Sequence, residues 1–106
     1  MLSNKYAIQK YTDVQTDLGD YEATWSDLGV VDGFLDMLTG TDVNDVQNAI
    51  IQQSTHVLVV MPIPDFIITD KMRVILNGNY YSITYVDDPV GQHHHLEIYL
   101  TYGGVI

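Results

Sequence analysis

Asn77-Gly78 stands between two runs of strand-forming residues, Met72 to Leu76 and Tyr80 to Val86. A tight hairpin turn needs positive φ at its central residues, and an Asn-Gly pair adopts that conformation at little cost. These residues predict an antiparallel hairpin closed around Asn77-Gly78-Asn79. Other segments repeat the β signal. Ser54 to Met61 is rich in β-branched residues and is followed by Pro62-Ile63-Pro64-Asp65, where proline cannot donate to a ladder. Asp87-Asp88-Pro89-Val90-Gly91 reads as the next turn. His94 to Thr101 reads as the last strand, with Leu96, Ile98 and Leu100 facing one way.

The first half is less regular. Lys5 to Thr12 places Tyr6, Ile8 and Lys10 on one face and Ala7, Gln9 and Tyr11 on the other, the pattern of a first strand. Asp17-Leu18-Gly19-Asp20 reads as a turn. Glu22 to Leu28, which carries Trp25, predicts a second strand, and Val30 to Leu35 a third beyond Gly29. Thr39-Gly40-Thr41-Asp42 is a loop ending in residues that cap helices well. Val43, Val46, Ala49 and Ile50 then recur at helical spacing, with Asn44, Asp45, Gln47 and Asn48 filling the other side. That predicts one amphipathic helix, short enough to need contacts with something else to persist. The fold expected is mainly β: one domain over residues 1–106, a small antiparallel barrel or sandwich of about six or seven short strands with the helix in an insertion. The candidate core is Trp25, Val57, Val59, Val74, Leu76, Ile83, Leu96, Ile98 and Leu100.

Composition narrows the function. At 106 residues and 46% hydrophobic content the chain holds one real core and is no disordered acidic tail. It carries 14 acidic and 4 basic side chains, for a net charge of −10. Lys5, Lys10, Lys71 and Arg73 cannot make the broad cationic footprint that gripping DNA or an anionic membrane requires. The absence of cysteine excludes disulfides and thiolate metal sites. Apolar runs such as Val57 to Met61 are too short for a membrane-spanning helix, and Met1 to Tyr6 lacks the apolar core of a signal peptide. A soluble protein made in a cytoplasm is expected.

Few residues invite a chemical reading. His93, His95 and Glu97, at period two, would share one strand face and could ligate a divalent metal, with a faint likeness to the metal motif of cupin barrels. The simpler account places them on the solvated face opposite Leu96, Ile98 and Leu100. A cupin also needs a later third histidine, which is missing. His56, alone beside an apolar strand, reads as structural. Asp87-Asp88 could pair as acid and base or hold calcium, but a turn before Pro89 explains both. No nucleophile elbow and no Gly-rich phosphate loop occur. Trp25 and the eight tyrosines could stack single-stranded nucleic acid only with basic residues nearby, so they read as core, barrel-rim or interface residues. The expectation is a protein that assembles, with no catalysis and no cofactor.

From Trp25 to Leu100 the chain resembles the head–tail joining proteins of long-tailed bacteriophages, the head-closure or stopper family. The resemblance rests on Ala23-Thr24-Trp25, Leu38-Thr39-Gly40, Ser54-Thr55-His56-Val57-Leu58-Val59, the stretch from Met72 to Ile83, Val86-Asp87-Asp88-Pro89 and His95-Leu96-Glu97-Ile98-Tyr99-Leu100, in that order. It implies a small β-barrel that assembles with itself into a ring beneath the portal and adaptor and above the tail-tube or tail-completion protein. Such a ring sits in the virion at the head–tail junction and is synthesised in the host bacterial cytoplasm. It retains packaged double-stranded DNA, which passes through without specific binding, and docks the tail; no membrane is involved. The resemblance also implies a channel-facing, gating insertion. By position this is Asp36, Met37, Leu38, Thr39, Gly40, Thr41, Asp42, Val43, Asn44, Asp45, Val46, Gln47, Asn48, Ala49 and Ile50. Two alternatives stand beside it: a tail terminator or tail-completion ring protein, and a cupin-like metal-binding barrel.

Overall fold

The structure is a computed structural model that describes residues 4–38 and 54–106. Within them lie six strands: β1 (Asn4–Gln15), β2 (Tyr21–Met37), β3 (His56–Val60), β4 (Met72–Leu76), β5 (Asn79–Asp87) and β6 (Leu96–Val105). A short 3-10 turn, Pro89–Gly91, precedes β6. Every ladder is antiparallel. The strand order β1-β2-β3-β6-β5-β4 closes into a barrel because β4 pairs back onto β1 at residues 7–10.

The Asn77-Gly78 hairpin forms as its chemistry dictates. Asn77 has φ of 52° and Gly78 φ of 79°, and Leu76 pairs directly with Asn79. The predicted turn at Asp17 to Asp20 also forms, closed by hydrogen bonds from the Gly19 amide to the Thr16 carbonyl and from the Thr16 amide to the Asp20 carbonyl. Two expected strands, Glu22 to Leu28 and Val30 to Leu35, are one. β2 runs unbroken through Gly29, where the β1–β2 register shifts beside Ile8. Gly29 does not end a strand; it makes room, since a Cβ there would collide with the Phe66 ring. The predicted helix at residues 43–50 lies outside the described residues.

Alternate residues fill the barrel. Tyr6 and Ile8 of β1, Leu58 and Val60 of β3, Val74 of β4, Tyr81 and Ile83 of β5, and Ile98 and Leu100 of β6 are buried, joined by Val31 and Ile68. Leu76 and Leu96 pack against this cluster from its margin. Three candidate core residues sit elsewhere. Val57 and Val59 are half-buried on the opposite face of β3 from Leu58 and Val60. Residues 57–60 are apolar on both faces, so periodicity carries no direction. The register decides, aligning Leu58 with Leu35 and Ile98. Trp25 is half-buried on the outside, between Tyr11 and Arg73.

The molecule measures 51 × 27 × 27 Å. At about 3.3 Å per residue, β2 with its 17 residues spans that long axis. One end of β2 carries the Gln15–Tyr21 turn, and the other leads into the segment between Leu38 and Ser54.

Candidate functional site

Asp36, Met37 and Leu38, the start of the candidate gating insertion, lie at the end of β2 and just beyond it; Thr39 to Ile50 lie outside the described residues. The two anchor points of that insertion are tightly held. Met37 pairs with His56 across the β2–β3 ladder, and the Leu38 amide donates to the Thr55 carbonyl at 3.0 Å. Thr55 is tied in turn to β6. Its amide donates to the Leu100 carbonyl at 2.7 Å, and its hydroxyl accepts from the Tyr102 amide at 2.9 Å. The buried Ser54 hydroxyl bonds Thr84 Oγ1 at 2.6 Å, and Thr84 Oγ1 donates to the Tyr99 carbonyl at 3.0 Å. β-Branched and hydroxyl residues at a strand entrance thus satisfy the backbone at the point where the chain leaves the sheet. The insertion departs from a fixed platform at one end of the long axis. Asp36 and Met37 are exposed there.

His56 faces Tyr81, with ring centres 5.2 Å apart in an edge-on contact, and its Nδ1 bonds the Thr55 hydroxyl at 2.7 Å. It is a structural side chain joining β3 to the barrel interior. Burial raises the Tyr81 hydroxyl above its usual pKa, helped by Tyr102 and Tyr6 nearby.

Of the candidate metal ligands, His95 and Glu97 meet and His93 turns away from them. His93 has left-handed backbone, with φ of 56°; its ring pairs with Asp88 Oδ2 and its amide donates to Asp88 Oδ1 at 2.9 Å. His95 precedes β6 and meets Glu97, Nε2 to Oε2 at 3.1 Å. Tyr99 donates to the other oxygen of Glu97 at 3.1 Å. Period-two spacing predicted one shared face, but β6 begins only at Leu96, so the histidines precede the pleat that would align them. Among the described residues no three His, Asp or Glu side chains form a metal-holding group. Asp88 anchors the turn before β6, and Asp87 ends β5 paired with Glu97 in register.

Two other surfaces stand out. Ile63, Pro64, Asp65, Phe66, Ile67, Ile68, Val86, His93 and Leu96 line a shallow, largely apolar cavity of about 370 Å³ at the end of the barrel where β3 leaves it. On the outer wall, Arg73 lies over both Trp25, 4.3 Å from the ring centre, and Tyr80, 5.1 Å away. Its Nε donates to Gln9 Oε1 at 2.8 Å. Sequence reading missed this cluster, because Trp25, Arg73 and Tyr80 meet only through the β2–β1–β4–β5 ladders. A lone arginine in an acidic chain was the one available signal.

Comparison with known proteins gives the context. No curated protein matches the chain. Solved structures share the fold. The solution structure of protein SF1141 from Shigella flexneri 2a superposes with a TM-score of 0.72 at 18% identity, covering 93% of this chain and 90% of that one. A chain of the virion of the native gene transfer agent particle superposes with a TM-score of 0.64 at 14% identity, covering 99% of this chain and 98% of that one. The sequence itself matches the phage head completion proteins over residues 1–101, nearly the whole of both the barrel and the insertion. This β-barrel belongs to the phage head completion protein family and is a component of the virion.

Proposed function

We propose that the protein acts as the stopper of the head–tail connector: a ring of identical copies below the portal and adaptor that closes the DNA channel, retains the packaged genome and docks the tail. Family membership supports the coarser role, a structural virion protein without catalytic duty. The observation that carries the finer one is the anchored departure of the insertion. The Thr55–Leu100–Tyr102 and Ser54–Thr84–Tyr99 hydrogen bonds make a stiff base at one end of an elongated barrel. A segment that must obstruct a duplex and later yield is best hinged on such a base, so that its movement does not unfold the barrel.

Charge fits the task. Asp36, Asp42 and Asp45, in or beside the insertion, repel phosphate, though salt screens this beyond roughly 8–10 Å. A plug that obstructs without attracting holds DNA and still lets it leave. In a closed ring, modest contacts between copies add up. The family match also supports the head-side position over a tail-terminator ring.

Deleting residues 38–52 tests the reading. The variant is expected to fold, to enter particles and to leave filled heads that lose their DNA. Full retention of packaged DNA, or a barrel that no longer folds, overturns it.

A further inference from the structure

The β1–β2 hairpin outgrows the barrel. β1 pairs with β4 only at residues 7–10, and β2 pairs with β3 only at residues 33–37. Beyond Lys10, residues 11–15 and 21–25 pair with each other alone, from Tyr11–Trp25 to Gln15–Tyr21. This two-stranded ribbon lies at the end of β2 opposite Met37. Among the described residues, neither of its outer edges has a ladder partner. An isolated two-stranded ribbon is marginal in water, and an open edge is a template for another chain.

The ribbon also exposes apolar side chains. Leu18 at its tip is 91% exposed and Tyr21 72% exposed, with Tyr11 and Val14 also exposed. Tyr11, Tyr21 and Trp25 share one face, continuous with Arg73 and Tyr80 on the barrel wall. Trp, Tyr and Arg are the residues in which interface energy concentrates.

Charge selects the occupant. Residues 11–25 carry Asp13, Asp17, Asp20 and Glu22, all exposed, and no lysine, arginine or histidine. Ribbon against ribbon from two copies would set these carboxylates against one another, which disfavours pairing. The flank of another copy is little better. Lys5 is already paired with Asp32 and Arg73 is engaged with Gln9 and Trp25, which leaves two exposed lysines, Lys10 and Lys71, against four ribbon carboxylates. Duplex DNA is a polyanion and is repelled.

We propose that this ribbon is the docking element for a different virion protein whose facing surface is a lysine- and arginine-rimmed apolar cleft. Its open edge supplies backbone hydrogen bonds, Leu18 and Tyr21 fill the cleft, and the carboxylates meet the basic rim. The placement rests on the head–tail reading above: a molecule with its gate at one end meets the next ring of the neck with the other.

The test uses the full chain with two probes, tailless heads and free tails, from particles assembled without this protein. The wild-type chain is expected to co-sediment with one of them and to dissociate as salt rises. The triple substitution Asp17→Lys, Asp20→Lys, Glu22→Lys is expected to weaken that association at least about tenfold, equivalent to about 1.4 kcal/mol. Trp25 fluorescence should remain native, because all three positions are exposed. Leu18→Ser should weaken binding without altering its salt dependence. Undiminished binding by the triple variant overturns the ribbon and leaves the neck reading standing. Loss of self-association with undiminished binding assigns the ribbon to a second copy and also overturns the proposal. A wild-type chain that binds neither heads nor tails sinks the neck reading together with it.

Discussion

The guanidinium of Arg73 lies 4.3 Å from the centre of the Trp25 ring, linking β4 to β2 across the intervening β1. That link spans the ladder that closes the barrel, β1 against β4 at residues 7–10. Gln9, in the middle strand, accepts the Arg73 Nε hydrogen bond, and Tyr80 covers the guanidinium from β5. The contact also joins the barrel to the base of the projecting ribbon, so it sets how firmly the ribbon is aimed.

Arg73→Ala should therefore destabilise the fold by about 1–3 kcal/mol, the sum of a partly shielded cation–π contact and a hydrogen bond to a charged donor. Denaturant unfolding measures the loss. Trp25 emission should shift to the red in the native state. Arg73→Lys keeps the charge and drops the Nε bond and planar stacking, so it should fall between Ala and wild type. A variant as stable as the wild type would show that the strap contributes nothing to closure.

Gly33 faces a different constraint. A Cβ at this buried position would strike the Val59 carbonyl oxygen, a backbone atom that cannot swing aside. At Gly29 the obstacle is the Phe66 ring, which can rotate or shift. Gly33→Ala is expected to cost about 1–3 kcal/mol, with Gly29→Ala costing less. The ordering of the two midpoints in urea is the measurement. Equal values, or the reverse order, would contradict the close approach of β2 to β3.

Tyr99 makes stability depend on alkaline pH. Burial, followed by the Glu97 carboxylate to which it donates, pushes its pKa up to about 12 from the usual 10.0. The folded pKa is raised, so the contribution to stability is complete below pH about 10 and is lost as pH climbs towards 12. Unfolding midpoints should fall across that window, and Tyr99→Phe should flatten part of the fall. Absorbance at the tyrosinate band should show one late-titrating group in the wild type that is missing from the variant.

Much of the barrel is legible without coordinates because its instructions are local. Asn77-Gly78 can be recognised as a hairpin from the φ angles two residues prefer, and Pro62 and Pro89 interrupt ladders by lacking an amide hydrogen. Leu96, Ile98 and Leu100 alternate with polar neighbours, so their inward side is plain. His93, His95 and Glu97 follow the same spacing, and only part of it holds: His95 meets Glu97, while His93, ahead of the strand that starts at Leu96, turns back to Asp88.

What the chain determined by itself is a mainly β, acidic, cysteine-free fold with turns at stated places. Tertiary structure alone decided which face of residues 57–60 enters the barrel, that β2 passes straight through Gly29, and that Trp25, Arg73 and Tyr80 meet outside it. Each of these depends on register between residues far apart in sequence. A strand's own pattern is silent on register when both faces are apolar or when the neighbour it makes room for comes from another element.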